Sequence, residues 1–174
     1  MRLWRSSVRQ VGFWAGRVGM LRRIFVSFDH DDAKQVGGFR SLKSDPEHPL
    51  TFEERSLMEP VVGRTGKPVT YPPTDRRSAP VRNRIRKKLF TCSKLVVLIG
   101  DETYKSDWVD WEIRSFRRLK APVPAFRAWR RITAMALKGS ESAPIPAALM
   151  DLSVQATGWN PEWLDWWIAL DPNG

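Results

Sequence analysis

Short aliphatic runs, separated by longer amphipathic stretches, set the pattern of this chain. The run at 23–28, RIFVSF, is β-branched and aromatic and leads into the polar turn at 29–32. That order is typical of a buried parallel strand feeding a functional loop. The run at 94–100, KLVVLIG, is nearly all aliphatic and too short for a typical helix, so we expect it to be the central strand.

Helical patterns occupy the stretches between and after these runs. Ser78 and Pro80 open one helix, which we expect to end near Cys92. Ser106 opens another, with acidic residues in its first turns and basic residues toward its end, the order that suits the helix dipole. A terminal helix is predicted to begin at 160–161, and a weak helical segment follows the first strand.

The remaining elements have weaker signals. We expect the weak helical segment to end near residue 44, and we expect short strands at 50–53, 121–129 and 154–156, although Pro122 and Pro124 weaken the second of these. The stretch 58–78 is rich in Pro and Gly and is predicted to be a loop. A loop of this length in a compact domain is usually functional, so it is a candidate lid or partner-binding surface.

Strands that alternate with helices predict an α/β domain with a mostly parallel, doubly wound sheet. In such sheets ligands bind at the carboxyl ends of the strands. Three segments are expected to meet at that edge: the acidic turn at 29–32, the segment at 53–56, and the segment at 100–112.

Length and composition favour one domain. The 174 residues, 42% hydrophobic and 28% charged, can bury roughly 70% of their unfolded surface without disulfides or a structural metal. Residues 1–19 are basic and lack a secretory pattern. We interpret them as an N-terminal appendage, with Met20 as an alternative start and 20–174 as the domain. No window approaches the roughly 18 apolar residues of a membrane span, so we expect no membrane contact and a cytoplasmic location.

Basic residues dominate the charge. The chain has 29 Lys and Arg against 19 Asp and Glu, a net charge of +10, which raises the question of a nucleic-acid partner. One cluster falls on a single predicted helix, at Arg82, Arg84, Arg86, Lys87 and Lys88. We interpret it as a solvated helix face, with a phosphate-contacting surface as the alternative. A nucleic-acid partner is disfavoured because the tryptophans at 159–167 do not alternate with basic residues as a stacking platform would.

Cysteine and histidine offer little chemistry. Cys92 is the one cysteine, and we expect it in the core rather than acting as a nucleophile, since no histidine lies near it in sequence. No Cys and His residues have the spacing of metal ligands. We therefore expect neither a metal nor a bound cofactor.

The helix predicted after the central strand contains a carboxylate four residues after a tryptophan. Trp108 and Glu112 are four residues apart and share a helix face. They flank an apolar stripe, where a carboxylate would be partly desolvated and its pKa altered, as catalytic acids require. On spacing alone, a surface charge is the simpler interpretation.

Three runs, RRIFVSFDHDD, FEERSLMEP and KLVVLIGDETYKSDWVDWEI, together resemble a known family. They are similar in order, spacing and residue type to the TIR-like domain of bacterial proteins, the group that includes the NAD-processing TIR subunit of the Thoeris antiphage system. The resemblance spans about residues 22–120. It rests on Arg22, Arg23, Ser27, Phe28, Glu54, Ser56, Ile99, Gly100, Trp108 and Glu112. It implies a flavodoxin-like, three-layer α/β fold with a mostly parallel central sheet of about five strands.

The resemblance also implies a reaction. Members of the family cleave the nicotinamide–ribose bond of NAD+, here a substrate and not a cofactor, and release ADP-ribose or a cyclised form of it. Glu112 would be the catalytic carboxylate that stabilises the oxocarbenium-like charge on the ribose. The substrate-binding residues implied are Phe28, Asp29, His30, Glu54, Ser56, Gly100, and Trp108 or Trp111 for stacking.

The implied partners are NAD+, a second copy of the chain that completes the site, and a separate effector protein that reads the nucleotide product. One alternative is a TIR-like module that recruits proteins or senses a nucleotide without cleaving it. Another is a phosphoacceptor receiver domain. It is disfavoured because 126–130 lacks the required Ser or Thr and 155–160 lacks the required Lys.

Overall fold

The computed structural model describes residues 23–41, 53–54, 66, 70–119 and 131–170. Within these ranges five parallel strands form one sheet in the order β2-β1-β3-β4-β5. The strands are β1 (Arg23–Ser27), β2 (Glu53–Glu54), β3 (Lys94–Ile99), β4 (Arg131–Ala136) and β5 (Ala156–Thr157). The helices are α1 (Ala33–Ser41), α2 (Ala79–Phe90), α3 (Asp107–Arg118), α4 (Ala147–Asp151) and α5 (Pro161–Ala169).

The central strand is β3, as its aliphatic sequence predicts. All six of its residues are buried, and it pairs with β1 on one side and β4 on the other. A parallel strand in this position is covered on both faces, which is why its sequence is a continuous apolar run and does not alternate with polar residues.

Helices cover the sheet on both faces. Phe25, Leu95 and Val97 point into a core formed with α2, α3 and α4. Ile24 and Val96 point the opposite way, into a core formed with α1 and α5. Alternate strand residues therefore fill two separate cores. The three layers and the strand order confirm the flavodoxin-like fold and the sheet of about five strands.

The fourth strand of the sheet differs from expectation. It lies at Arg131–Ala136; the strand expected at 121–129 falls outside the described residues. The sequence RITAMA has few strong strand formers, and it becomes a strand because it pairs with β3 along six positions. The five-residue helix α4 was likewise not predicted; its buried residues, Ala148 and Leu149, form too short a pattern to detect.

The other predicted elements occur close to their expected places. Helices α2 and α3 begin within a residue of the prediction, and α5 begins at Pro161. Strand β2 is described only at Glu53–Glu54 and β5 begins at Ala156, slightly later than expected. Residues 1–22, 42–52, most of 55–69 and residue 120 lie outside the described part, so the appendage, the end of the helix near residue 44 and most of the long loop stay predictions.

A lysine fixes α5 to the amino edge of the sheet. The Nζ of Lys94 donates hydrogen bonds to the carbonyl oxygens of Trp167 at 2.6 Å, Ile168 at 2.8 Å and Leu170 at 3.0 Å. It also lies 4.8 Å from the centre of the Trp167 ring. A cation at the carbonyl end of a helix complements the helix dipole, so this contact holds the end of α5 in place.

Candidate active site

The strand order predicts a ligand crevice at the carboxyl edge of the sheet, between β1 and β3. The chain leaves β1 for α1 on one face and leaves β3 for α3 on the other. Neighbouring strands whose connections diverge in this way form the switch point at which open α/β sheets bind ligands. The loops at 28–32 and 100–106 border this crevice.

Glu112 is the buried carboxyl group beside the crevice. It lies on the inward face of α3 with Val109, Ile113 and Phe116, and only 8% of its surface is exposed. The hydroxyl of Ser27, the last residue of β1, donates a hydrogen bond of 2.5 Å to Glu112 Oε2. Within the described residues this is the one hydrogen bond that the carboxyl group makes. The surface-charge interpretation of Glu112 is therefore wrong.

Burial raises the pKa of Glu112 to about 8, since desolvation disfavours the charged form, and the hydrogen bond from Ser27 opposes part of that rise. Near neutral pH the group holds its proton in the free protein. A positive charge placed against it would favour the anion. The arrangement is suited to stabilising a cation that forms nearby.

Two tryptophans flank this part of α3. The rings of Trp108 and Trp111 are 5.6 Å apart and meet edge to face. Trp108 lies one turn before Glu112 on the same helix face, where it is half-buried. Trp111 lies under the guanidinium group of Arg86 from α2, 5.3 Å from its ring centre. Trp108 is therefore the better placed of the two to stack on a ligand beside Glu112.

The loop after β1 divides between the two faces of the sheet. Phe28 packs against the core under α1 and α5, on the face opposite to the core that contains the α3 stripe. The side chain of Asp29 accepts a hydrogen bond from the backbone of Asp31 at 2.9 Å and so caps the turn at His30–Asp32. His30 is exposed. The structure thus does not bring Phe28 beside Glu112.

Glu54 is held by an arginine. Its Oε1 lies 2.8 Å from Nη2 of Arg40, and the same guanidinium group lies 5.1 Å from the centre of the Phe28 ring. The pair joins the end of β2 to α1 and covers Phe28. Ser56 lies outside the described residues, so the predicted position of Glu54 and Ser56 at the pocket edge stays a prediction.

Gly100 is required by a buried carboxylate. A Cβ atom at this position would overlap the side chain of Asp32, which is 6% exposed. Thr103 Oγ1 donates to Asp32 Oδ2 at 2.7 Å and accepts from the Gly100 backbone at 2.9 Å. These contacts join the loop after β1 to the loop after β3, and they explain Gly100 without a ligand.

Two residues of this edge were missed in the sequence. Ser27 was noted only as part of a motif, although a hydroxyl inside the run IFVSF is a signal for a buried polar contact. Thr103, which is fully buried, gives no such signal. Its position depends on the turn at Thr103–Lys105.

The described ranges contain no cluster of three His, Cys, Asp or Glu side chains able to hold a metal ion. No helix in these ranges is long and apolar enough to cross a membrane.

One family matches the chain. The family described as Thoeris protein ThsB, TIR-like domain, matches residues 25–131, more than half of the 174 residues. The matched region contains the last three residues of β1 and all of β3 and α3, and with them Ser27, Gly100 and Glu112. A search of curated proteins gives no match.

Proposed function

Because the chain belongs to the Thoeris ThsB TIR-like family, a family of antiphage defence, we propose that it cleaves the nicotinamide–ribose bond of NAD+. NAD+ is the substrate in this proposal and not a resident cofactor. The product is ADP-ribose or a cyclised ADP-ribose-type signal that a separate effector protein reads. Self-association and a cytoplasmic location belong to the same proposal.

The burial of Glu112 is the observation that carries this proposal. A carboxyl group with a single hydrogen bond in an otherwise apolar helix face lowers stability relative to a leucine or isoleucine of similar size. Buried carboxyl groups with strongly shifted pKa values occur most often at functional sites. Its position beside the switch point of the sheet agrees with that interpretation.

The chemistry of NAD+ fits such a group. The nicotinamide ring carries a positive charge, so when the bond to ribose C1′ breaks, the electron pair moves to the ring nitrogen and nicotinamide leaves as a neutral molecule. Positive charge then develops on C1′ and the ring oxygen of ribose. An ionised Glu112 stabilises that charge, and no general acid is needed for the leaving group.

The hydrogen bond from Ser27 supports the ionised form during this step. The cationic nicotinamide ring of the substrate lowers the pKa of Glu112 toward neutral pH and so favours its ionised form. The hydroxyl of Ser27 donates a hydrogen bond to the carboxylate that results. Attack of water at C1′ gives ADP-ribose and releases a proton. Attack of a nucleophile within the same ADP-ribose molecule gives the cyclised product.

Trp108 is the stacking residue of the proposed pocket, while Asp29 and His30 belong to its loop edge. Phe28 and Glu54 act indirectly, because Arg40 joins them into one wall between α1 and β2. Gly100 keeps that edge compact by admitting the Asp32 side chain.

Nicotinamide release from NAD+, with the product mass, tests the proposal. Wild type and Glu112→Gln are assayed alone and in extract of phage-challenged cells, since an immune enzyme is expected to rest until triggered. We expect the substitution to lower the rate by about 10² to 10³-fold, the usual loss for one electrostatic group. The matched control is Glu162→Gln, an exposed glutamate on α5, which should retain the wild-type rate.

Product mass distinguishes hydrolysis from cyclisation, because a cyclised product lacks the added water. If folded wild type releases no nicotinamide in either condition, the enzyme proposal fails. The protein-recruiting or nucleotide-sensing module then becomes the better explanation.

A further inference from the structure

The basic cluster of α2 has no part in the proposed NAD+ chemistry. Helix α2 contains five basic residues and no acidic one. Arg82 is engaged by the carbonyl oxygens of Pro73 and Asp75. Arg84, Arg86 and Lys87 are exposed, and within the described ranges none of the three forms an ion pair. The cluster therefore presents uncompensated positive charge.

Helix α3 adds a second set of cations and an indole ring beside this cluster. A cleft of about 200 Å³ lies between the two helices and is lined by Arg86, Trp111, Arg114, Ser115, Arg118 and Leu119. Asp110 and Asp151 neutralise Arg114. Arg118 is exposed and, in the described part of the chain, makes no ion pair. Two guanidinium groups without an ion pair in the described part of the chain thus line the cleft together with Trp111.

The tertiary structure supplies what the sequence lacks. Along the chain, aromatic and basic residues do not alternate as in a single-strand stacking platform. Packing of α2 against α3 places Arg86 over the ring of Trp111 and brings Arg118 to the same cleft, so that two helices together supply an aromatic ring and basic groups. Guanidinium groups bind phosphate with paired hydrogen bonds, and an aromatic ring stacks on an unpaired base whatever its sequence.

The distribution of charge elsewhere on the described surface also favours an anionic partner at this cleft. Exposed acids without an ion pair among the described residues lie in the loops at the carboxyl edge of the sheet, at Asp31, Asp101 and Asp107. A long polyanion is therefore attracted to the α2 and α3 face more than to that edge. We propose that the α2–α3 cleft binds single-stranded nucleic acid, with a base on Trp111 in the place that the Arg86 guanidinium group occupies in the free protein, and with phosphates on Arg86 and Arg118.

Other polyanions fit the cleft less well. An acidic peptide would pair with the arginines but would leave the indole ring unused. A duplex keeps its bases stacked and paired, so they cannot reach Trp111. Single-stranded nucleic acid offers both a phosphate backbone and free base faces, and it is recognised without dependence on sequence.

Fluorescence anisotropy with the full chain and a labelled DNA strand of about 20 nucleotides tests this binding. The variant Arg86→Gln/Arg118→Gln should weaken binding at least about tenfold and lower the slope of log affinity against log salt by about 0.7 for each lost phosphate contact. Lys34→Gln/Lys138→Gln removes the same charge from exposed positions outside the cleft. This control should change affinity by less than about twofold, the effect of net charge alone.

Substitution of Trp111 gives a second test, in which a loss of affinity is not explained by a change in charge. Trp111→Leu should weaken binding about tenfold with an unchanged salt slope, because stacking contributes about 1–3 kcal/mol per base. Trp111→Phe, which keeps a ring in the core contact, should retain most of the affinity and guards against a folding defect in the leucine variant.

Three results would overturn the proposal: no binding by wild type at about 50 mM salt, an equal loss in the lysine control, or tighter binding to duplex DNA or to a polyglutamate peptide than to the single strand. Glu112→Gln should bind DNA as wild type does. Failure of this inference is therefore separable from failure of the NAD+ proposal.

Discussion

Two buried ionisable side chains lie at opposite edges of the same sheet, and their surroundings differ. Lys94 begins β3 at the amino edge and is 4% exposed; Glu112 lies beside the carboxyl edge and is 8% exposed. The Lys94 amino group donates to three carbonyl oxygens, one for each of its three donors. Glu112 has one hydroxyl donor within the described residues, although a carboxyl group accepts several hydrogen bonds.

The difference separates a structural charge from a candidate functional one. A buried charge whose hydrogen bonds are all satisfied fixes one arrangement of its partners, and Lys94 does so for the end of α5. A buried carboxyl group with unused capacity is costly to keep. Its retention in α3 makes sense when a ligand completes its interactions. Whether a buried charged group has all its hydrogen-bond partners, more than how deeply it is buried, thus distinguishes a structural group from a candidate functional one.

The largest effect that this contrast predicts is on stability at the amino edge. Lys94→Met keeps the length of the stem and removes every donor, so three buried carbonyl oxygens lose a partner. We expect the free energy of unfolding to fall by about 3–5 kcal/mol, because each buried acceptor that is left without its donor costs about 1–3 kcal/mol. Urea denaturation measures the change.

The matched control for that experiment is Lys138→Met, at an exposed lysine after β4, with an expected change within about 0.5 kcal/mol. If Lys94→Met unfolds at the wild-type urea concentration, Lys94 is not the structural charge described above, and the contrast with Glu112 loses its basis.

Removal of the Glu112 carboxyl group is expected to have an effect of comparable size at high pH, but to raise stability instead of lowering it. The folded protein holds this proton up to a pKa of about 8, while the unfolded chain releases it near 4.5. Between these values the folded state binds more protons at this group, so its contribution to stability is greatest below pH 4.5 and falls as pH rises toward 8, by up to about 1.4 kcal/mol per unit. Glu112→Gln lacks this titration and should be more stable than wild type at pH 9.

Stability against pH, measured by urea denaturation of both proteins and of Glu162→Gln, checks that expectation. The control should follow the wild-type curve. Parallel curves for wild type and Glu112→Gln would show that the carboxyl group is not buried as a neutral acid, and they would remove the distinction drawn between the two edges.

The sequence predicted most of the fold because its signals are local. The aliphatic run of β3 and the serines that precede α2 and α3 carry their own pattern, independent of the rest of the chain, although neither serine side chain caps its helix. Strand β4 does not, because RITAMA becomes extended only through pairing with β3. Helix α4 was missed for a similar reason: its first backbone amide donors depend partly on Asp110 of α3, which accepts from Ala148 at 2.7 Å.

The candidate site was predictable only in part. Spacing places Glu112 only beside the apolar stripe of α3 and favours a surface charge, so the family resemblance was needed to single it out; the structure shows that it is buried. The partners of the implied binding residues depend on tertiary contacts that no local pattern records. Arg40 engages both Phe28 and Glu54, and Asp32 meets Gly100 across two loops.

The smallest and most specific prediction concerns Ser27. Its hydrogen bond favours the ionised carboxylate and lowers the pKa of Glu112 relative to burial alone. Ser27→Ala removes that bond and should raise the pKa further, by about 1 unit, the size of one lost hydrogen bond to a charged group. If nicotinamide release requires the anion, the rising limb of kcat/KM against pH moves to higher pH by the same amount.

Ser27→Thr is the matched control, because it keeps the hydroxyl group and should keep the wild-type profile if the added methyl group is accommodated. A purely structural role for Ser27 predicts a different result: a lower melting temperature and a lower rate at every pH, with the profile unshifted. If the rising limb of kcat/KM against pH shifts in Ser27→Ala but stays in place in Ser27→Thr, the Ser27 hydroxyl group sets the pH at which Glu112 ionises for the reaction. The amino edge, where Lys94 already has its partners, has no corresponding property.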